Sequence, residues 1–355
     1  MKKTLNKFNG KKVLITGNTG FKGSWLSFWL TLVGAKVFGY SNNIPTNPSL
    51  YDNLNLKNFV NQTWGDIRNY NELNNLINKV KPDYIFHLAA QSIVKVSYDD
   101  PINTFTTNIV GTLNLLQSLL HYEESVNVII ITSDKSYKNI EQLWGYKEND
   151  IFGGDDPYSA SKASTEMVIE GYFKSFFLNK KNVKIAVGRA GNVIGGGDWS
   201  PFRLVPDAIK SWSKNNTLEL RNPNATRPWQ HVLEPLSGYL VLANKISNDN
   251  KCNLNSFNFG PKFDQNFKVI TLLNKLSSNW GNAKISIQKN KSFKESSLLK
   301  LNCEKADLYL GWRPILSFDD NVRLTVEWYK EYFINNNISE LTKNQIDYYV
   351  NLRGD

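Results

Sequence analysis

Two residues four positions apart, Tyr158 and Lys162, carry the most specific chemistry in this 355-residue chain. On a helix such a pair shares one face, so the Lys162 ammonium can lie beside the Tyr158 phenol and favour its phenolate electrostatically. Bringing a phenol from about 10 to near 7 requires roughly 4 kcal/mol, at about 1.36 kcal/mol per unit. Tyr158 would then accept the proton of a hydroxyl undergoing oxidation at neutral pH. Upstream lies a strand that ends in Thr132-Ser133-Asp134-Lys135, which would bring further hydrogen-bonding and titratable groups to the same place. A bare Tyr-x-x-x-Lys spacing arises by chance on many amphipathic helices, so the surrounding elements decide its meaning.

Those elements begin at the N-terminus. Lys12 to Thr16 is a short apolar run of the kind that forms a buried parallel strand. It runs into Gly17-Asn18-Thr19-Gly20-Phe21-Lys22-Gly23, followed by an apolar helix-length segment, Ser24 to Val33, and a second strand, Lys36 to Tyr40. Glycines at such a turn let the backbone approach a pyrophosphate at a helix N-terminus, where free N–H groups and the dipole favour anions. The Gly-x-x-Gly-x-x-Gly spacing is one residue wider at its first gap than the usual dinucleotide fingerprint. A turn followed by close helix packing would need similar glycines, but the order strand, turn, helix, strand favours dinucleotide binding. The nicotinamide cation of such a cofactor would join Lys162 in favouring the Tyr158 phenolate. An acidic residue ending the second strand would suit NAD and a nearby arginine NADP; here the strand ends in Ser41-Asn42-Asn43. Lys22 and Arg68 could serve a 2′-phosphate or be solvated. NAD is the expected cofactor, with NADP the alternative.

Length and charge narrow the class. A chain of 355 residues holds one large or two modest domains with a well-buried core. The net charge of +10 comes from scattered Lys and Arg without a dense basic run, so nucleic acid is not an expected partner; an anionic substrate, or a compositional bias in an Asn-rich chain, accounts for it. Cys252 and Cys303, the two cysteines, are too few and isolated for a disulfide framework or metal site. No apolar segment follows Met1-Lys2-Lys3 before the first strand, and no run approaches 18 apolar residues, so neither a signal peptide nor a membrane span is expected. The expected location is cytoplasmic.

Helices and strands alternate to about Val187: a strand closed by Trp64 to Arg68, a helix from Asn71 to Val80, a strand from Asp83 to Leu88 ending in Ala89-Ala90-Gln91, a long helix from Ile102 to His121 carrying Asn108 and Gly111, a strand from Asn127 to Thr132, a helix from Tyr158 to Leu178 and a strand from Asn182 to Val187. This predicts an α/β, Rossmann-type doubly wound parallel sheet, with ligands beyond the carboxyl ends of its strands. Asp66, Ala89 and Ser133 should therefore converge on one crevice. Residues 1–190 form the expected dinucleotide-binding domain with the catalytic residues. Residues 191–355 form a smaller lobe with excursions back to the first. Gly195-Gly196-Gly197-Asp198-Trp199, Arg221-Asn222-Pro223 and Arg227-Pro228-Trp229-Gln230-His231 are irregular and aromatic. Their arginines suit a diphosphate and a flat base, or equally a solvated face stacked on aromatics.

Gly17 to Gly23, Asp66-Ile67, Leu88-Ala89-Ala90-Gln91, the Tyr158/Lys162 pair and Arg189-Ala190-Gly191-Asn192 resemble the extended short-chain dehydrogenase/reductase superfamily acting on nucleotide sugars. The longer motifs closely resemble the CDP-glucose 4,6-dehydratases: Thr19 to Leu26, Thr132 to Lys135, Gly153 to Tyr158, Gly191 to Trp199 and Arg227 to Val232. The similarity runs from the first strand to about Pro314, leaving only the tail beyond about Tyr332 unaccounted for.

The resemblance implies a hydro-lyase that uses NAD and a nucleotide-sugar substrate, in deoxysugar biosynthesis of the kind that supplies lipopolysaccharide O-antigens. Tyr158 would take the 4-hydroxyl proton while C4 gives hydride to NAD. Water would then leave across C5 and C6, and hydride would return to C6. Asp134, held neutral by burial, would protonate the departing 6-hydroxyl; Ser133 would hydrogen-bond the 4-oxygen or cap the strand end. The cofactor would be held by Gly17, Asn18, Thr19, Gly20, Phe21, Lys22, Gly23, Asp66, Ile67, Leu88, Ala89, Ala90, Asn108, Tyr158 and Lys162. Substrate contacts would come from Gln91, Ser133, Asn192, Asp198, Trp199, Arg203, Leu204, Val205, Arg221, Arg227, Gln230 and His231. Related dTDP-glucose and GDP-mannose dehydratases carry Glu where this chain has Lys135, so the base at C5 is either a neutral Lys135 or Tyr158. A 4-epimerase or reductase on the same machinery is the rival enzyme, disfavoured by Asp134-Lys135, and a non-enzymatic dinucleotide sensor would have no use for the Tyr/Lys pair. In similar proteins the helices matching Ile102 to His121 and Tyr158 to Leu178 pair two subunits, with Phe173, Phe176 and Phe177 offering an apolar face, so a homodimer or higher homo-oligomer is implied.

Overall fold

The computed structural model describes the chain except for residues 221, 263–264, 282, 288–297, 335–336 and 355. Its centre is a parallel sheet of β1 (Lys12–Thr16), β2 (Lys36–Ser41), β3 (Asn61–Trp64), β4 (Tyr84–His87), β5 (Val126–Ser133), β6 (Val183–Ala190) and β7 (Asn255–Phe259), in the spatial order β7-β6-β5-β4-β1-β2-β3. The order reverses between β1 and β4, and at that switch the strand ends open a crevice. Most inner strands are apolar throughout because helices cover both faces. Alternate residues of one strand therefore enter different cores: Val13 and Ile15 face one cluster and Leu14 the other.

Helices α1 (Phe21–Leu32), α2 (Tyr70–Val80), α3 (Gly111–Leu120) and α4 (Pro157–Tyr172) flank the N-terminal strands. The expected single helix from Ile102 to His121 is interrupted. Pro101–Phe105 is α-helical, Thr106–Val110 widens into a π-turn, and α3 follows. Such bulges reorient side chains locally, and Asn108 lies inside this one. A second π-turn, Phe173–Phe177, ends α4. It buries Phe173 and Phe177 in the subunit's own core and leaves Phe176 half exposed, which removes two of the three residues expected on an intersubunit face.

The C-terminal portion closes back on the sheet. β7 pairs with β6 in parallel register, Asn258 opposite Arg189. Helices α5 (Leu204–Trp212), α6 (Leu233–Asn248), α7 (Val269–Trp280), α8 (Phe318–Ile334) and α9 (Ile338–Arg353) cover the remaining surface. The tail that sequence motifs left unaccounted for packs on α1. Trp29 meets Tyr349 edge-on at 6.0 Å between centroids, Gly196 leaves room for the ring of Trp328, and Trp25 Nε1 donates to Gly196 O at 2.9 Å.

Candidate active site

The glycine turn is fixed by three different constraints. Gly17 has φ +71°, and a Cβ there would lie 2.7 Å from Ala89 N; only glycine fits the left-handed turn against the end of β4. At Gly23 a Cβ would lie 2.1 Å from Gly17 O, so α1 can sit close to the turn. At Gly20 a Cβ would meet only Gly17 O, at 3.5 Å. Its open side faces outward at the start of α1, where the first helical amides lack helical partners. Asn18 and Thr19 are inward fasteners: Asn18 Oδ1 accepts from Ser41 Oγ at 2.8 Å, Asn18 Nδ2 donates to Gln62 Oε1 at 2.7 Å, and Thr19 Oγ1 donates to Asn43 O at 2.7 Å.

Lys22 lies elsewhere than expected. Its amine faces Asp134, Lys162, Arg203 and Asp198, and burial, reinforced by the positive charge of Arg203 and Lys162, brings it down to about 8. It belongs to the crevice and not to the end of β2, where a 2′-phosphate would have to be met. Arg68 is also engaged, gripping the carboxylate of Asp66 with Nε at 3.0 Å from Oδ1. Asp66 thus turns towards Arg68, and the neighbouring Ile67 is buried against Gly111.

At the end of β5 the strand residues turn into a short 3-10 segment, Asp134–Ser136. Ser133 Oγ accepts from Lys135 N at 3.2 Å and donates to Asp134 Oδ1 at 3.0 Å, so the capping role and a place in the crevice coexist. Asp134 is 3% exposed, its Oδ2 has no partner, and burial pushes its carboxyl upward against the opposing pull of Lys135, Ser133, Lys22 and Arg227. An acid so placed is disposed to hold a proton.

Tyr158 stands in the first turn of α4, whose N-cap Asp156 accepts from Ser159 N. Ser97 Oγ accepts from Tyr158 N at 3.1 Å. The protein groups by themselves do not acidify the phenol. Burial pushes the phenol up to about 12, Asp134 and Asp156 add to that, and Ser133 and Arg203 oppose it. Lys162, expected as the acidifying partner, is itself brought down to about 8 by burial, with Glu166 opposing. A spacing of four brings the pair to one face, and with a value of about 8 Lys162 keeps most of its charge at neutral pH.

Asn108 serves the scaffold. Its Oδ1 accepts from Gln91 N at 2.9 Å, and its Nδ2 donates to Gln91 O at 3.0 Å and Ser161 Oγ at 2.8 Å. It fixes the Leu88-Ala89-Ala90-Gln91 strand end to α4. Gln91 itself is turned towards Thr104 Oγ1, 2.7 Å away.

The residues expected on the substrate divide into two groups. Arg203 faces Tyr158 and is held by Asp198 Oδ2 at 2.9 Å and Ser92 Oγ at 3.0 Å, and Arg227 and Asn192 lie with Asp134 and Gln230 around Pro228. Trp199 is instead a core residue, packed against Trp328, Tyr329, Tyr332 and Phe333. Leu204 and Val205 also join that core, and Gln230 and His231 are fully buried, with Gln230 Nε2 donating to Phe259 O at 2.8 Å. Asp198 is buried as the anchor of Arg203 and Tyr329. Arg221 lies outside the described residues.

Sequence reasoning missed the buried group behind the pair. Arg189 donates to Glu166 Oε1 and Oε2, to Tyr137 Oη and to Glu148 O, while Thr132 Oγ1 donates to Glu166. Glu166 is four residues beyond Lys162, and that continued i, i+4 spacing was the available signal. Among the described residues no group of three or more His, Cys, Asp or Glu could hold a metal ion, and no helix is long and apolar enough to cross a membrane. Cys252 and Cys303 are free thiols.

Residues 14–325 match the family model described as GDP-mannose 4,6 dehydratase. The chain belongs to that dehydratase family. Within reach of this family is the CDP-glucose 4,6-dehydratase of Salmonella typhimurium, 41% identical over 97% of this chain and 98% of its own length. The CDP-paratose 2-epimerase of Salmonella typhi is 27% identical over 89% of this chain and 98% of its own. Among solved structures, the dTDP-glucose 4,6-dehydratase of Bacillus anthracis in complex with NAD superposes with a TM-score of 0.76 at 20% identity, covering 93% of this chain and 99% of the other. The UDP-glucose 4-epimerase of Thermotoga maritima with UDP-glucose gives 0.77 at 23%, covering 91% and 99%. The dehydratase family fold thus accounts for the doubly wound sheet.

Proposed function

We propose that the protein is a CDP-glucose 4,6-dehydratase, a hydro-lyase that converts CDP-D-glucose to CDP-4-dehydro-6-deoxy-D-glucose and water with NAD. One observation carries the reading: Asp134, buried at the end of β5 with its carboxyl pushed upward by burial, stands beside Ser133 and Lys135 in the crevice that Tyr158 also faces. Tyr158 and Lys162 serve oxidation at C4; only a reaction that also expels a hydroxyl needs the added acid. The 41% identity to the Salmonella typhimurium enzyme supports CDP-glucose as the substrate.

The site fits a dinucleotide. Gly20 leaves an open approach to the first amides of α1, and the glycine-specific contact of Gly17 with Ala89 places that opening at the switch point of the sheet. Gly17 to Gly23, Asp66-Ile67 and Leu88-Ala89-Ala90 would hold the cofactor. NAD would supply a hydride acceptor for C4 and a hydride donor for C6. Against the burial that raises its phenol, the positive charge of a bound nicotinamide would favour the Tyr158 phenolate; Tyr158 would then take the proton of the 4-hydroxyl, and Ser133 would hydrogen-bond the same oxygen. The 4-ketone acidifies the C5 proton, which Lys135 removes; a Lys135→Ala variant that kept full solvent-deuterium exchange at C5 would exclude that assignment in favour of Tyr158. Asp134 gives its proton to the 6-hydroxyl as the C6–O bond breaks.

Purified protein incubated with NAD and, separately, CDP-, dTDP-, GDP- and UDP-glucose tests this by product mass and alkaline absorbance. Loss of one water from CDP-glucose alone is expected. Turnover of another nucleotide would overturn the base assignment, and a product of unchanged mass would move the protein to the epimerases. We assign the enzyme to the cytoplasm as a homodimer, with exposed Ile102, Val110, Met167 and Phe176 as the apolar face; sedimentation showing only monomer at micromolar concentration would defeat the dimer.

A further inference from the structure

We propose that Gly191 is a positioning residue for Asp134: the side chain missing at 191 is the space into which the Asp134 carboxyl is packed. The inference rests on the dehydratase reading for its catalytic meaning. It deepens that reading by naming what fixes the acid in place.

The sheet register dictates the encounter. Ser133 is paired with Ala190 at the ends of β5 and β6, so the next residues, Asp134 and Gly191, emerge side by side. Gly191 does not occupy the left-handed region, so backbone conformation does not demand glycine there. Space does. A Cβ at 191 would lie 2.7 Å from Asp134 Oδ2, 3.3 Å from its Cγ and 3.2 Å from Pro228 Cγ. Asp134 Oδ1 is tied to Ser133 Oγ at 3.0 Å, and the carboxyl faces Lys22 of α1, Lys135 of its own turn, Arg227, Tyr158 of α4 and Tyr239 of α6. The oxygen that Gly191 accommodates is the one without a partner, and hence the one free to hand on a proton.

In the elimination the base takes the C5 proton, its electron pair forms the C5–C6 double bond, and the C6–O bond breaks. The departing hydroxyl leaves as water with the proton of Asp134, which remains as a carboxylate. A methyl group at 191 displaces Oδ2 and slows the C6–O step, while proton removal at C4 and C5 uses other groups. With CDP-glucose in deuterated water, Gly191→Ala should lower kcat about 100-fold with KM changed less than about threefold. Deuterium should accumulate at C5 of recovered substrate, as it should for Asp134→Asn, and the double variant should be no slower than Asp134→Asn alone. Wild-type kcat in Gly191→Ala, or losses that multiply in the double variant, would overturn the proposal.

Melting temperatures decide the packing independently of activity. Gly191→Ala should cost less stability in an Asp134→Ala background, where the carboxyl is gone, and this holds even if Gly191→Ala alone fails to fold. An equal cost in both backgrounds would show that the carboxyl does not fill the space. A wild-type protein that forms no dehydrated product defeats the functional reading, and the melting comparison then stands alone on whether 191 packs against 134.

Discussion

Arg189 grips Glu166 with two prongs, Nε to Oε1 at 2.7 Å and a terminal nitrogen to Oε2 at 2.9 Å, and both side chains are 2% exposed. The pair ties β6 to α4 one helical turn beyond Lys162. Glu166 also opposes the burial that drives the Lys162 ammonium towards neutrality.

Replacing Glu166 with Gln should act at both places. It leaves the Arg189 charge buried without its counter-ion, a loss of about 3–5 kcal/mol that a chemical melt would read. It also lowers the Lys162 value below about 8. The alkaline limb of kcat, expected near that value because Lys162 loses its charge as pH rises, should move to lower pH; an unmoved limb would separate Lys162 from it.

Asp134→Asn should slow turnover by about 10²- to 10⁴-fold and at the same time raise the melting temperature. The carboxyl is held above its ordinary value mainly by burial. A raised value favours folding in full below the unfolded value, about 3.9, and that advantage is lost as pH rises through the folded value. The variant's gain, on the order of 2 °C, should therefore be larger at pH 7 than at pH 4.

Two buried histidines predict the acid limit of stability. His87, hydrogen-bonded to Thr16 Oγ1 at 2.7 Å, and His231 are each pushed by burial down to about 3. A depressed histidine stabilises the fold above the unfolded value near 6.5 and ceases to as pH falls towards the folded one. Melting temperature should drop between pH 6.5 and 4, and His87→Asn should flatten part of that slope.

Gly20 and Gly23 should respond oppositely to alanine. At Gly20 the added carbon makes ordinary contact with the protein, so melting should hardly change while the NAD dissociation constant rises at least about tenfold, worth about 1.4 kcal/mol. At Gly23 the carbon collides with Gly17 O, and melting should fall outright. Calorimetric titration beside thermal melts distinguishes the two.

The doubly wound sheet was legible because β1, β4, β5 and β6 are short apolar runs interrupted by helix-length segments, and the Gly17 to Gly23 turn announced which strand came first. The Tyr158/Lys162 pair was legible for the same local reason, a fixed spacing on one helix. What local spacing could not reveal was the burial each group would meet. Tyr158 and Lys162 are both pushed towards their neutral forms by burial, which depends on how distant parts of the chain pack over them. Trp199 likewise reads as a ligand-facing ring beside three glycines, yet its partners Trp328 and Tyr332 come from a helix more than a hundred residues later. The π-turn at Asn108 left no periodic trace, since one extra residue per turn only blurs the apolar pattern.

β7 completes the sheet from within the second half of the chain, and Asn258 on that strand also accepts from Tyr137 Oη at 2.8 Å. Tyr137 in turn holds Arg189. The second half of the chain is therefore not a cassette that could be exchanged whole: a graft at residue 190 would strip β6 of its β7 neighbour and release Arg189 behind α4. New specificities in this architecture must arise by replacing loops between retained strands, with Asn255–Phe259 carried along unchanged.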